Sequence, residues 1–305
     1  MIDEARVRTG HRLAYTSTLD RAAFEAECAT VPWWYHSYYF DNGVEIRGDY
    51  DIGADVHDYG FALDLSGASV LDLGTGGGWF AHYFEQRGAA VTTYDARGYC
   101  DFDVYGRWDA PPIEEDAELD SPAGVYNRTA GPAGRRREPD RYDEQGRPVY
   151  FSPVSGAFWK MRALLGSRIE SRSGSIYDIA PDTFEGRKFD FVFMGALLCH
   201  LRDPVGALMA ARRVCDGRIF ASTPIVLGEP EGEVEPRQYL PYTDVDRISW
   251  WLPNEACFRH WFLAAGFRDV NIARSITLRG DIEHRDERGR VHNSDQTHRV
   301  GRASV

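Results

Sequence analysis

The chain has almost no lysine, no paired cysteines and no long apolar run, and each shortage removes a class of protein. Of 35 basic residues only Lys160 and Lys188 are lysines; the rest are arginine, the bias that GC-rich coding produces. The five cysteines (Cys28, Cys100, Cys199, Cys215 and Cys257) are odd in number, scattered and free of CxxC spacing. That pattern argues against a disulfide framework and against a structural zinc site, and reduced thiols in a cytosol are expected. No apolar run approaches the roughly 20 residues that cross a bilayer. The opening stretch MIDEARVRTGHRLAY lacks the apolar core of a secretion signal, so a cytoplasmic protein with no membrane partner is expected. Net positive charge is absent too: the formal net charge is −12. Proteins that track a phosphate backbone concentrate positive charge, so nucleic acid is disfavoured as a partner. Arg135, Arg136 and Arg137 form a basic run, read most simply as a solvated loop.

What the chain does have is a core and a clear alternation. With 305 residues, 43% hydrophobic and 13% aromatic, it can fill one large α/β domain with insertions. Ser69–Leu73 (SVLDL) reads as a buried strand. A glycine-rich loop follows, then a helix over Trp79–Arg87 closed by Gly88, then a second strand over Ala90–Asp95. Further strands are expected at 189–194, 218–226, 268–278 and 295–304. Asp203-Pro204 should open one helix, and another should span about 254–265. Strands alternating with helices predict a mostly parallel sheet covered on both faces. Residues 1–64 precede this pattern as an N-terminal helical and aromatic cap, and 65–305 form the main domain. Within it, 97–152 is an insertion after the second strand, dense in Pro, Gly, Asp and Arg and too long for an idle loop.

The loop Asp72-Leu-Gly74-Thr75-Gly76-Gly77-Gly78 carries the first chemical signal. Glycines let the backbone turn tightly at a helix N-terminus and approach a polar ligand. A dinucleotide fingerprint needs G-x-G-x-x-G, but Trp79 occupies its third glycine position. The loop instead reads D-x-G-x-G-x-G, which resembles motif I of class I S-adenosylmethionine-dependent methyltransferases. Asp95, about twenty residues on at a strand end, stands where an acidic side chain accepts both ribose hydroxyls. The resemblance implies S-adenosyl-L-methionine as cofactor and a Rossmann-like sheet with an antiparallel last strand. It also implies that Ser175-Ile176-Tyr177-Asp178 frames adenine, with Asp178 accepting from the exocyclic amine and Ile176 or Tyr177 covering the ring. Thr75, Ala96 and Gly195 complete the implied cofactor set. Read by itself, Asp178 is a turn or helix-cap residue.

A narrower resemblance lies in FDFVFMGALLCHLRDPVGAL (189–208), in Trp34-Tyr35-His36 and in WLPNEACFRHWFLAAGFRDVNI (251–272). These are similar to the enzymes that convert a wobble hydroxyuridine of tRNA to its carboxymethoxy form, over roughly residues 30–96 and 165–275. That family uses a carboxylated cofactor and places a tyrosine directly before the histidine after the fourth strand. Here the position is Cys199, which offers no comparable hydrogen bond. Methyl transfer to a small, hydroxyl-bearing metabolite, such as a natural-product intermediate, is therefore the first expectation. A tRNA carboxymethyltransferase-like enzyme and a cyclase on the same fold are the alternatives.

For chemistry, His200 follows the fourth strand at the edge where open α/β sheets bind ligands, and His36 is the second candidate. Either imidazole could accept a proton from an acceptor hydroxyl; the simpler reading is that His200 only walls the pocket. Trp34, Tyr35, Tyr38 and Tyr39, in PWWYHSYYF (32–40), are candidate substrate contacts, with core packing or an oligomer contact as the rival reading. The insertion 97–152 is expected to act as a lid, the loop 227–252 to line the pocket, and a homodimer is left open.

Overall fold

Short β-forming runs alternate with amphipathic helices, and the sheet follows from that order. The computed structural model describes residues 11–31, 34–53, 56–62, 64–96, 153–225, 250–280 and 296–305, with strand pieces at 141–142, 148–149, 284–285 and 291–292. The N-terminal extension holds α1 (Arg21–Cys28), β1 (Tyr38–Tyr39), β2 (Glu45–Ile46) and β3 (Tyr50–Asp51). Next come β4 (Ser69–Leu73), α2 (Trp79–Gln86) and β5 (Ala90–Asp95). Two short strands, β6 (Arg141–Tyr142) and β7 (Pro148–Val149), then pair with each other. The main domain continues with α3 (Pro153–Leu164), β8 (Glu170–Ser173), β9 (Phe189–Met194), α4 (Pro204–Val214), β10 (Cys215–Pro224) and α5 (Glu255–Ala264). It ends with β11 (Arg268–Gly280), a second short pair, β12 (His284–Arg285) with β13 (Val291–His292), and β14 (Gln296–Ser304).

The sheet runs β3-β11-β14-β10-β9-β4-β5-β8. From β8 to β10 neighbours are parallel, whereas β14 is antiparallel to both β10 and β11. This is the Rossmann-like sheet with an antiparallel last strand that the motif resemblance implied. Side chains alternate between two apolar clusters, as a strand buried on both faces requires. On β4, Val70 enters one cluster while Leu71 and Leu73 enter the other. The Val70 side is covered by α2 and α3 together with Leu13, Phe24, Phe40 and Val44 of the extension. The Leu71 side is covered by α4 and α5 through Leu208, Phe258 and Phe262.

The extension also joins the sheet: β3 pairs antiparallel with the far end of β11, Tyr50 opposite Gly280 and Asp51 opposite Arg279. The expected lid at 97–152 lies outside the described residues apart from β6 and β7, and so does 227–249 of the pocket-lining loop at 227–252.

Local signals set the helix starts. Asp203 caps α4, its carboxylate accepting from the Gly206 amide, with Pro204 in the first turn. Asn254 caps α5 by accepting from the Cys257 amide at 2.8 Å. Asn254→Ala is expected to lower stability by about 1 kcal/mol, the usual worth of such a cap. A denaturant midpoint equal to the parent's would show that α5 is held by packing alone.

Candidate active site

The loop after β4 is shaped by its glycines and tied to the end of β5. Gly74 has φ of +73°, and a Cβ there would sit 2.9 Å from both terminal carbons of Leu197, so only glycine fits. Leu197 belongs to the turn after β9, which therefore abuts the glycine loop. The Gly74 amide donates to Tyr94 O at 3.0 Å. The Gly76 amide donates to Asp95 Oδ2 at 2.9 Å and the Ala96 amide to Asp95 Oδ1 at 2.8 Å. Asp95 thus holds the loop open as well as facing it, and each carboxylate oxygen keeps a further lone pair for a ligand hydroxyl.

Asp72, at the end of β4, is buried, and its Oδ2 has no hydrogen-bond partner among the described residues. Burial, reinforced by the neighbouring Asp95 charge, pushes its carboxyl up to about 8. Asp95 is also raised, chiefly by burial, while the two loop amides oppose that rise. Thr75 Oγ1 donates to Asp72 O at 3.0 Å and fixes the turn between them. Two acidic groups at one loop, one with an unmatched buried oxygen, suit a ligand that carries both hydroxyls and positive charge.

The segment expected to frame adenine lies beside Asp95. The Gly174 amide donates to Asp95 O at 2.9 Å, and Tyr94 Oη donates to Ser175 O at 3.3 Å. Ile176, Tyr177 and Asp178 then form one 3-10 turn. Tyr177 Oη accepts from the Asp203 amide at 3.1 Å, which ties this turn to the start of α4.

The turn after β9 closes the opposite side. Gly195 leads into Ala196, a non-glycine residue with φ of 51°. The Ala196 amide donates to Ser222 O at 3.1 Å and to Ser222 Oγ at 3.0 Å, which over-determines this left-handed position. Leu198, Cys199 and His200 make a 3-10 turn in which Cys199 is buried and its Sγ points to Ala196 O at 3.2 Å. Cys199 O also accepts from the Trp250 amide at 2.7 Å. His200 is half-buried at the mouth of this turn.

The aromatic segment divides. His36 is buried beside the glycine loop: its Nδ1 would lie 3.7 Å from a Cβ on Gly77 and has no hydrogen-bond partner among the described residues. Burial pushes its imidazole down to about 3, so it stays neutral. Tyr38 Oη donates to Gly77 O at 2.8 Å and braces the loop from beneath. Tyr35 packs edge-on against His36 and Tyr50. Trp34 and Tyr39 are engaged within the extension: Trp34 Nε1 donates to Cys28 O at 3.3 Å and Tyr39 Oη to Asp51 at 3.2 Å. The structure therefore brings Asp72, Gly74, Thr75, Gly76, Gly78, Asp95, Ala96, Ile176–Asp178, Gly195, His200, His36, Tyr35 and Tyr38 to the carboxyl edge of the sheet. It draws Trp34 and Tyr39 into the extension's own packing. A separate cavity of about 590 Å³ lies at the opposite edge, among Ser69, Ala90, Arg187 and Phe189, and contains none of these residues.

The family described as a methyltransferase domain matches residues 46–272. The chain belongs to that family. Curated relatives are tRNA U34 carboxymethyltransferases. That of Aliarcobacter butzleri is 33% identical over 97 residues, 31% of each chain. That of Trichodesmium erythraeum is 24% identical over 127 residues, 40% of this chain and 38% of the relative. The chain thus matches about a third of the length of these relatives, 31% of one and 38% of the other. Among solved structures, the N-terminal domain of EvdMO1, crystallised in the presence of SAH and D-fucose, superposes with a TM-score of 0.53 at 14% identity. That match covers 94% of this chain and 97% of the other, and it is a likeness of fold.

Two signals at the site were not singled out from sequence. Ser222 reads only as part of a strand, because its bond to Ala196 depends on the neighbouring strand's turn. The raised carboxyl of Asp72 depends on burial and on Asp95, 23 positions later, and neither is visible in a motif.

Proposed function

We propose that this methyltransferase-family chain transfers a methyl group to a hydroxyl of a small-molecule acceptor held between His36, His200 and the aromatic extension. S-adenosyl-L-methionine is the cofactor, and when bound it supplies an electrophilic methyl on a sulfonium. The observation that carries the reading is the Asp72–Gly78 loop with Asp95 bonded across it and an unmatched carboxyl oxygen at Asp72.

The residue roles follow from this arrangement. Asp95 would accept from the ribose hydroxyls, Asp72 would meet the cationic end, and Ile176, Tyr177 and Asp178 would frame adenine. The backbone at Thr75, Gly76, Gly78, Ala96 and Gly195 allows close approach. His36, neutral and buried, suits a hydrogen-bond acceptor that orients a ligand N–H or O–H, since charging it in place is costly. His200, half-exposed, is the residue placed to take the acceptor's hydroxyl proton on a ring nitrogen. Tyr35 lines the acceptor side, and Tyr38 supports the loop. Water exclusion and alignment would supply much of the rate, with 97–152 as the cover. The reading extends to a cytoplasmic enzyme of natural-product metabolism, with a cap at 1–64 built onto the domain at 65–305.

The curated relatives favour a second reading, carboxymethyl transfer to tRNA. The buried Cys199 and the net charge of −12 weigh against it. Radiolabelled methyl transfer from S-adenosylmethionine to a panel of hydroxylated small molecules tests the first reading, and carboxymethyl transfer to tRNA from a carboxylated S-adenosylmethionine, with no small molecule labelled, would replace it with the second. Once an acceptor is in hand, His200→Ala is expected to lower single-turnover transfer by about 100-fold or more, the lower end of general-base contributions. A loss under about tenfold with an unchanged pH profile would leave His200 as pocket wall. NAD is expected not to bind, because buried Trp79 fills the position where a dinucleotide loop needs its third glycine. Measurable NAD binding by calorimetry would contradict the loop assignment.

A further inference from the structure

The turn after β9 is held in a conformation that its own residues do not favour. β9 and β10 pair in parallel as far as Met194 and Ala221, and the Ala196 amide continues that ladder by donating to Ser222 O at 3.1 Å. The same amide also donates to Ser222 Oγ at 3.0 Å, a bond that an alanine at 222 could not accept. Ser222 is fully buried, on the face of β10 that it shares with Phe220. Ala196, with φ of 51°, then turns the chain out of the sheet. Leu197 follows, and its side chain lies so close to Gly74 that a Cβ there would stand 2.9 Å from both of its terminal carbons. Ser222 therefore reaches the first glycine of the loop through Ala196 and Leu197 alone.

We propose that Ser222 is a positioning residue: its hydroxyl keeps Ala196 left-handed, which seats Leu197 on Gly74 and holds the glycine loop in its ligand-binding shape. The proposal rests on the cofactor reading of that loop given above. Magnitudes make the hydroxyl decisive. A left-handed conformation costs an alanine about five- to thirtyfold in population. One neutral hydrogen bond returns only about two- to tenfold. The ladder bond alone thus leaves the turn near balance or below it, and the second acceptor on the same amide tips it. Cys199 Sγ, 3.2 Å from Ala196 O, adds a weak donor on the other side of the residue. Glycine at 196 would need no such support, since it visits φ above zero as readily as below. With alanine there, the shape of the loop after β4 depends on a side chain of β10, two strands away.

The test is a cycle of Ser222→Ala, Ala196→Gly and the double variant, compared with the parent at a temperature where all are folded. Two quantities are read: calorimetric affinity for S-adenosylhomocysteine, and the nuclear Overhauser contact between the Leu197 methyls and the Gly74 α-protons in unliganded, methyl-labelled protein. In Ser222→Ala the affinity should fall about fivefold, in proportion to the fraction of turns still seated, and the methyl contact should weaken with it. Ala196→Gly should bind within about twofold of the parent, and the double variant should recover both the affinity and the contact. A role in packing alone would not be reversed by trimming Ala196, because that second change only adds to the lost volume. Parent affinity and an intact contact in Ser222→Ala overturn the proposal, and so does a double variant as weak as Ser222→Ala. Should Ser222→Ala not fold, the double variant decides: it must fold and show the contact, and failure in either overturns the proposal. If the parent itself does not bind S-adenosylhomocysteine, the cofactor reading fails, and the methyl contact across the same set of proteins still judges the role of Ser222.

Discussion

Asp72→Asn is expected to melt several degrees above the parent at pH 8 without cofactor, and to bind S-adenosylmethionine about tenfold or more weakly. The two effects have one cause. In the folded protein burial and Asp95 hold the Asp72 carboxyl at about 8, against about 3.9 for an exposed aspartate. Below about pH 4 both states keep the proton, so folding stability does not depend on it. Between about 4 and about 8 the unfolded chain releases the proton and the folded chain does not, so stability falls as pH rises. Above about 8 the full penalty is present. Four units would bound that penalty at about 5 kcal/mol, and relaxation around the group brings the expected gain from asparagine to about 2 kcal/mol. For a domain this large, that is a shift of roughly 4–8 °C. The parent should lose more stability across this window than the variant, in which only the raised carboxyl of Asp95 still contributes. Cofactor binding reverses the balance, because a cation beside Asp72 favours the ionised carboxyl that asparagine cannot supply, a bond worth about 1.5–3 kcal/mol. Thermal melts from pH 5 to pH 9 with matched calorimetry check both halves. A variant that melts below the parent at pH 8 would mean that the carboxylate has partners in the folded state.

Asp95→Ala is expected to weaken S-adenosylmethionine binding by about 1–3 kcal/mol, roughly 5- to 150-fold. Loss of the ribose acceptor is one component. The Gly76 and Ala96 amides also lose their shared partner, so the loop must be ordered by the ligand itself. Asp95→Asn should fall between alanine and the parent, because an amide oxygen can still accept from one of the two. Equal affinities for parent and alanine variant in a folded protein would remove the ribose assignment. The Gly174 amide donates to the main-chain oxygen of Asp95, so the link from β5 to the adenine-side turn is kept in both variants and the effect reads the carboxylate alone.

Much of this geometry is legible in the sequence because it is local. Asp72 to Gly78 sits between a five-residue apolar strand and a helix, and period and glycine spacing suffice to place it. Asp203-Pro204 announces its helix through cap chemistry that acts over three residues. The antiparallel course of β14 came through the motif resemblance. What sequence does not convey depends on partners far along the chain. β3 adds to β11 across more than 220 residues. Tyr38 and Tyr39 are adjacent and chemically alike, yet alternation sends one hydroxyl to the glycine loop and the other to Asp51. Reading PWWYHSYYF as either core or substrate wall was therefore unresolvable locally, and the segment is divided between the extension's packing and the site.

On the proposed reading, this chain holds S-adenosylmethionine, in its ordinary methyl-donating form, across the Asp72–Gly78 loop. Native mass spectrometry of freshly purified protein tests it most directly, with release and identification of any bound adenosyl compound and a titration of added S-adenosylmethionine. S-adenosylmethionine or S-adenosylhomocysteine is expected at one equivalent, present on purification or acquired on titration, and held more weakly by Asp95→Ala. A carboxylated S-adenosylmethionine as the co-purifying species, or a folded protein that takes up neither ligand, would contradict it.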